Sequence, residues 1–187
     1  CDGAGDTPLC TIQCTHKRDF VSLWSVSTPG ETIQLVLQQG STYDFTVDWG
    51  DGSEPDLIDH YDAPAARHVY GQAGEYTVTI SGVAQYMAMG CSAVMNGGEP
   101  PSSATLKAVP NLGDLDWRRF EGTFQECSQL TNVAGGHTDL VTDMSYMFYQ
   151  AAQATPQTTD WNTSQVTSMA WMFGSTLNAT PDTGAWQ

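Results

Sequence analysis

The chain has 187 residues, of which 21 are acidic and six are basic, so its formal net charge is −15 at pH 7. This charge repels nucleic-acid phosphates and anionic lipid headgroups, which argues against either as a partner. Hydrophobic residues make up 40% of the chain, enough to build one medium domain or two small ones. No apolar run approaches the roughly 20 residues that a transmembrane helix needs, so we expect no membrane span.

Residues 1–18 form an N-terminal segment that we interpret as a tether, and it holds three of the five cysteines. The cysteines lack the Cys-x-x-Cys spacing of zinc and thioredoxin-type sites, so we expect disulfides formed in an oxidising compartment. Either Cys1 carries a lipid after signal cleavage and the others form up to two disulfides, or Cys1 joins a disulfide and another thiol stays free. The disulfide candidates are Cys1, Cys10, Cys14, Cys91 and Cys127.

Residues 19–82 show the period-two alternation of β-strands. In "TYDFTVDWG", Tyr43, Phe45, Val47 and Trp49 fall on one side of the strand and polar residues on the other. The segments "TIQLVL" and "GEYTVTISG" repeat this pattern, and turns rich in Gly and Pro separate the segments. Strands with one apolar face pack as two sheets, so the pattern predicts a small antiparallel β-sandwich.

Two motifs of this segment, "VDWGDG" and "HVYGQAGEYTVTISG", resemble the PKD-like immunoglobulin-type domain. That family carries an aromatic-Gly-Asp-Gly turn and, further along, His-x-Tyr followed by Gly-x-Tyr-x-Val. PKD-like domains serve mostly as spacers or binding modules in extracellular proteins. The resemblance implies an Ig-like sandwich with one of these roles.

Residues 83–187 lose the alternation and contain an internal repeat instead. "VTDMSYMFYQ" at 141–150 returns 25 residues later as "VTSMAWMFGS", and a worn copy around Phe120 and Phe124 precedes them. A fixed period of this size predicts a solenoid, here with units at about 117–140, 141–165 and 166–187. Met-x-x-Met-Phe places apolar groups on one side of a short helix, so the predicted fold class is mainly β with short helices.

The units "WNTSQVTSMAWMF" and "VTDMSYMFYQA" closely resemble the BspA-like repeats of bacterial surface proteins, which are related to the leucine-rich repeat. In that group a PKD-like unit often precedes the repeats, joined by a segment similar to "LKAVPNLGDLDW". The resemblance implies a short leucine-rich-repeat-like solenoid in an extracellular protein of the bacterial surface. The chain departs from the group in having two good repeats where longer arrays are usual.

Motifs that carry chemistry are absent from the sequence. No nucleophile elbow, phosphate loop or HExxH motif occurs, so we expect no enzymatic activity and no obligatory cofactor. The best metal candidate is an acidic loop in which Asp48, Asp51 and Glu54 offer the hard oxygen donors that Ca²⁺ prefers. The alternative is a solvated acidic loop with a hairpin turn, since the spacing is not that of an EF-hand. Methionines at the repeat period favour core packing over a copper site.

Hydroxyl and aromatic side chains recur at equivalent repeat positions, which predicts a surface that binds a glycan or a protein. The alternative is that threonine simply favours strands and stays solvated. The candidate binding residues are Thr138, Thr142, Tyr146, Thr163, Thr167 and Trp171.

These observations favour a non-enzymatic, extracellular cell-surface protein that presents its repeats for adhesion. Its partner would be a protein or glycan of a host or neighbouring cell, and a lipid on Cys1 is the candidate anchor. The alternative is a structural subunit of a surface fibre or layer that self-associates end to end or by edge contacts. This alternative is motivated by the last repeat, which would leave a low-charge edge uncapped.

Overall fold

The structure is a computed structural model that describes residues 17–93, 101–184 and 186. Strands dominate the described residues, and the helical structure among them is a single 3₁₀ turn at Pro64–Ala66. The strands are β1 (Phe20–Val26), β2 (Thr32–Gln34), β3 (Tyr43–Asp48), β4 (Asp56–Ile58), β5 (Arg67–Val69), β6 (Gly74–Ala84), β7 (Thr105–Asn111), β8 (Asn132–Val133) and β9 (Thr155–Pro156).

The strands form one large mixed sheet and one small sheet. The large sheet has the order β4-β3-β6-β1-β7-β8-β9, and the small one pairs β2 with β5. Pairing is antiparallel from β4 to β7 and parallel from β7 to β9. The expectation of a mainly β chain is confirmed.

The predicted alternation in the first half of the chain is present in the sheets. Tyr43, Phe45 and Val47 of β3 are buried, while the polar residues between them are exposed. Ile33 of β2 is fully buried as well and belongs to the same hydrophobic cluster as the β3 side chains. The two sheets therefore share one core.

The large sheet continues past the boundary that the sequence predicts between residues 82 and 83. Strand β6 ends at Ala84, and β7, from the second predicted domain, pairs with β1. The buried hydrophobic cluster extends without interruption from Phe20 to Met172. We refer to residues 17–93, which carry β1 to β6, as the β-unit, and to 117–140, 141–165 and 166–187 as the first, second and third units.

The short helices predicted at the Met-x-x-Met-Phe segments are wrong, because these segments form turns. In the first and second units, alternate N–H groups of these turns donate to carbonyls of the following unit instead of to residue i−4. In the second unit, the N–H groups of Met144, Tyr146, Phe148 and Gln150 donate to the carbonyls of Ser168, Ala170, Met172 and Gly174 at 2.8–2.9 Å.

The remaining amides of the same segments close tight turns. Met147 N–H donates to Met144 O, and Tyr149 N–H donates to Tyr146 O at 3.0 Å. The apolar side chains nevertheless face inward as the repeat pattern predicts, since Met144 and Met147 are fully buried and Met172 is 3% exposed. Burial thus follows the sequence pattern, whereas the backbone conformation follows the pairing between units.

Candidate functional site: the aromatic face of the repeats

Two positions of each repeat hold the backbone in the left-handed region, and one of them, at Glu126, Gln150 and Ser175, carries small or polar side chains. The other position differs in character. Its φ is +60° at Gly122, +55° at Tyr146 and +56° at Trp171, which are the equivalent residues of the three units. The first unit uses Gly, which adopts this conformation freely, whereas a side chain there costs about 1–2 kcal/mol. A bulky aromatic residue at such a φ is an outlier that points to a functional constraint.

The two aromatic side chains at this position are exposed to solvent. Trp171 is 65% exposed and Tyr146 is 38% exposed, although tryptophan in folded proteins is generally well buried. The strained backbone therefore presents two large rings outward rather than into the core.

A third ring, which the sequence analysis missed, joins the two. The Tyr149 ring lies 5.7 Å from that of Tyr146 and 6.4 Å from that of Trp171, at 75° and 85° to them. We call Tyr146, Tyr149 and Trp171 the aromatic face. Its perpendicular rings are the edge-to-face arrangement that aromatic groups prefer.

Gly174 makes room for the central ring. It is the equivalent of Tyr149 in the third unit, and a Cβ built on it would lie 2.7 Å from Tyr149 Cδ2 and 3.1 Å from Trp171 Cε3. The change from Tyr149 to Gly174 at equivalent positions was the sequence signal that could have identified Tyr149. Because Gly174 of the third unit leaves room for Tyr149 of the second, the two units form this face together.

The threonines of the predicted binding surface have structural roles. Thr138 and Thr163 are 2% and 1% exposed, so their assignment to a ligand surface is corrected: a buried hydroxyl cannot contact a ligand. The Thr138 hydroxyl donates to Asn162 O at 3.0 Å and accepts from Asn162 N–H at 2.7 Å.

Thr142 and Thr167 are exposed, but their hydroxyls also hold adjacent units together. The Thr142 hydroxyl donates to Arg118 O at 3.2 Å, and the Thr167 hydroxyl donates to Thr142 O at 3.0 Å. The predicted threonine ladder therefore exists as a set of side-chain to backbone bonds between units. Of the six candidate residues, the structure brings only Tyr146 and Trp171 into one exposed cluster.

The acidic loop uses its carboxylates to shape a turn. Asp48 Oδ1 accepts the N–H of Gly50 at 2.9 Å, and Asp51 Oδ1 accepts both the N–H and the hydroxyl of Ser53. Glu54 is exposed. Across residues 17–93 and 101–184, no three His, Cys, Asp or Glu side chains lie close enough together to hold a metal ion, so a cation at Asp48, Asp51 and Glu54 stays a prediction from the sequence.

Asp51 also binds His68, which belongs to β5. His68 Nε2 lies 2.8 Å from Asp51 Oδ2, and the imidazole stacks on Trp49 with centroids 4.9 Å apart. Partial burial opposes ionisation of Asp51, but the hydrogen bonds from Ser53 and His68 outweigh it and lower its pKa from 3.8 to about 2. Ser53 and His68 both contact the Asp51 carboxylate rather than each other. The arrangement therefore stabilises the turn and does not activate the Ser53 hydroxyl.

A disulfide links the β-unit to the first unit. Cys91 and Cys127 are bonded, with Cα atoms 5.2 Å apart. The other candidates, Cys1, Cys10 and Cys14, lie outside the described residues, as does the predicted lipidation site at Cys1. The described part of the chain contains no helix long and apolar enough to cross a bilayer.

Comparison with known proteins finds a match for the repeats. No curated protein and no solved structure matches the chain. Residues 118–187, which hold the aromatic face, are similar to the family described as "Mycoplasma protein of unknown function, DUF285".

Proposed function

We propose that the protein is a non-enzymatic, extracellular adhesion protein of a bacterial surface that binds its partner through the aromatic face. The observation that carries the proposal is the pair of exposed aromatic residues, Tyr146 and Trp171, held at positive φ where the first unit has Gly. Strain of this kind persists where the position has a function, and large rigid rings supply contact area at low entropic cost.

A carbohydrate is the ligand that this face fits best. Sugar rings have apolar faces that stack on tryptophan and tyrosine, and their hydroxyls reach polar groups at the ring edges. Residues 120–187 contain no Lys or Arg, and the whole chain carries a charge of −15, so an uncharged glycan is favoured over an anionic one.

The finer architecture belongs to the same proposal. We interpret the two sheets of the β-unit as a PKD-like sandwich, since their inward side chains share one core. We interpret the repeats as a short leucine-rich-repeat-like solenoid. Parallel bridges join Arg119 to Asp143 and Asp143 to Ser168, and the rings of Phe124, Phe148 and Phe173 stack at 5.4 and 5.5 Å.

The proposed surface location draws on two observations. The Cys91–Cys127 disulfide suits an oxidising compartment, and the repeat sequence resembles BspA-like surface proteins. A lipid on Cys1 would anchor the chain, with the rest of residues 1–18 as a tether. Intact mass measurement of native protein, before and after reduction, tests both the lipid and the disulfide.

The binding proposal is tested on a glycan array with the full chain and the variant Trp171→Ala. A central aromatic contact is worth at least about 2 kcal/mol, so we expect affinity for the bound glycan to fall roughly 30-fold. Leu177→Ala is the matched control, because Leu177 is an 82% exposed apolar residue outside the aromatic face. Equal binding by wild type and Trp171→Ala would overturn the proposal.

A structural subunit of a surface fibre or layer is the second candidate function, and edge contacts are what favour it. Strand β4 lies at one edge of the large sheet as described and exposes 61% of Leu57, and unpaired apolar edges promote association. End-to-end stacking onto the first unit is disfavoured, because the β-unit covers that side: Arg118 N–H donates to Gln85 O and Met89 N–H donates to Thr123 O. Light scattering of wild type and Leu57→Lys tests this candidate, which predicts oligomers that the substitution dissolves.

A further inference from the structure

The three rings of the aromatic face meet nearly at right angles. The Tyr149 ring stands at 75° to that of Tyr146 and at 85° to that of Trp171, with centroids 5.7 and 6.4 Å away. The faces of aromatic rings are electron-rich, and they attract a cation that lies within about 6 Å of the ring centroid. Because neighbouring centroids are this close together, one compact cation can lie within that distance of two rings at once.

The aromatic face points sideways from the stack of units. Tyr146 remains 38% exposed although the first and third units lie on either side of it, and Trp171 at the equivalent position is 65% exposed. The second unit is bonded to both neighbours, since Phe124 N–H donates to Met147 O and Tyr146 N–H donates to Ala170 O. The exposure of this position therefore comes from its lateral place on the repeats.

The part of the chain that carries the aromatic face is acidic. Residues 120–187 contain no Lys or Arg, whereas their acidic residues are Glu121, Glu126, Asp139, Asp143, Asp160 and Asp182. The cation–π contact found among the described residues lies elsewhere, with Arg119 over the Tyr86 ring at 5.0 Å. The negative charge of this part of the chain attracts a cation from solution to rings that its own sequence supplies with none.

We propose that the aromatic face binds an ammonium group carried by the glycan. The inference rests on the proposed function, because it concerns the same face, and it names the substituent that the rings hold. Clustered aromatic rings recognise ammonium groups through cation–π attraction, to which tryptophan contributes most strongly. An ammonium group also meets the net charge of −15, whereas a neutral sugar gains the stacking alone.

A choline lipid headgroup presents the same ammonium chemistry, but it fits the surroundings less well. Its ammonium lies beside a phosphate, and the repeats contain no Lys or Arg after Arg119 that could pair with that phosphate. The net charge of the chain repels the phosphate as well. The glycan is therefore the favoured carrier of the ammonium group.

Choline and its uncharged isostere, 3,3-dimethyl-1-butanol, separate the effect of charge from that of shape. NMR of the full chain follows the backbone amide signals of Tyr146 and Tyr149 during titration with each compound. We expect choline to bind at least about fivefold more tightly, as cation–π attraction at an exposed site allows. Trp171→Leu keeps an apolar side chain but removes the electron-rich ring, so it should abolish the preference.

Leu177→Ala, outside the aromatic face, is the control and should leave the preference for choline unchanged. Equal binding of the two compounds, absence of choline binding, or a preference that survives Trp171→Leu would overturn the inference.

The glycan array tests the same preference on sugars. A glucosamine oligosaccharide with free amino groups should bind at least about fivefold more tightly than its N-acetylated form, at a mildly acidic pH that protonates the amines. Equal, Trp171-dependent binding of both forms would overturn this inference and leave the proposed function in place. Absence of Trp171-dependent binding to any glycan would overturn the proposed function instead.

Phosphatidylcholine vesicles are the last arm of the test. Vesicle binding that Trp171→Leu abolishes would identify a lipid headgroup as the ligand and overturn the assignment to a glycan. Choline binding without vesicle binding supports that assignment.

Discussion

The β-unit and the repeats pair their backbone N–H and C=O groups in different ways. In the β-unit, antiparallel neighbours such as β1 and β6 pair residue by residue, and Gly50 and Gly52 take the positive φ values of a turn. In the repeats, amides donate to carbonyls about 25 residues away, and Tyr146 and Trp171 occupy positive-φ positions. The β-unit thus places Gly where the backbone demands it, whereas the repeats keep aromatic side chains there.

The largest expected effect is the loss of stability when the aromatic packing between the repeats is removed. Phe148 is fully buried between Phe124 and Phe173, so Phe148→Ala should lower the free energy of unfolding by about 3–5 kcal/mol. Chemical denaturation monitored by circular dichroism measures the loss. Leu177→Ala, at an exposed position of the third unit, should change stability by less than about 0.5 kcal/mol. A small effect of Phe148→Ala would contradict a continuous core through the repeats.

The next largest effect is the loss of stability when the disulfide between the β-unit and the first unit is removed. The Cys91–Cys127 disulfide closes a loop with a sequence separation of 36 and joins the β-unit to the first unit. Replacing both cysteines by serine should lower stability by about 3 kcal/mol, because the unfolded chain regains the entropy of the open loop. Denaturation under non-reducing conditions compares the double variant with wild type. Reduction should destabilise wild type more than the double variant, and an equal loss in both would contradict the assignment.

An effect of intermediate size belongs to the β-unit alone. Asp51 has a pKa of about 2 in the folded chain and 3.8 ordinarily, so its contribution is complete above about pH 4 and is lost as pH falls towards 2. Its partial solvent exposure reduces the contribution to about 1–2 kcal/mol. The stability difference between wild type and Asp51→Asn, measured from pH 5 to pH 2, should shrink accordingly. A difference that stays constant over this range would show that the stabilisation by Asp51 does not depend on the charge of its carboxylate.

The smallest expected change in stability tests the central contrast. Tyr146→Gly relieves a strained φ but removes a ring of the aromatic face, so stability should change by less than about 1 kcal/mol while glycan affinity falls roughly tenfold. Ser175→Gly is the matched control, since Ser175 has a φ of +58° but lies outside the aromatic face. It should stabilise the chain by about 0.5–1 kcal/mol and leave binding unchanged. Equal effects of the two substitutions on glycan binding would contradict a binding role for the aromatic residue held at positive φ.

The candidate site was predicted only in part. Tyr146 and Trp171 were identified because they sit at equivalent repeat positions, and a repeat position keeps its orientation from unit to unit. Tyr149 was missed because its equivalent is Gly174, and the room that this glycine leaves is visible only in three dimensions. Thr138 was assigned to the surface although it is buried, because the sequence does not show that its hydroxyl bonds to Asn162.

The sequence by itself determined which apolar side chains of the strands and repeats lie inside. The alternation around Phe45 and the 25-residue recurrence of Met144 and Met147 predict burial, since apolar groups at a regular spacing must share one side of the chain. Only the tertiary structure decided that Met-x-x-Met-Phe forms turns and that Tyr149 bridges two units. The physical reason is distance along the sequence. Burial follows from the spacing of apolar residues within one segment, whereas the turns of the repeats depend on hydrogen bonds to carbonyls about 25 residues away.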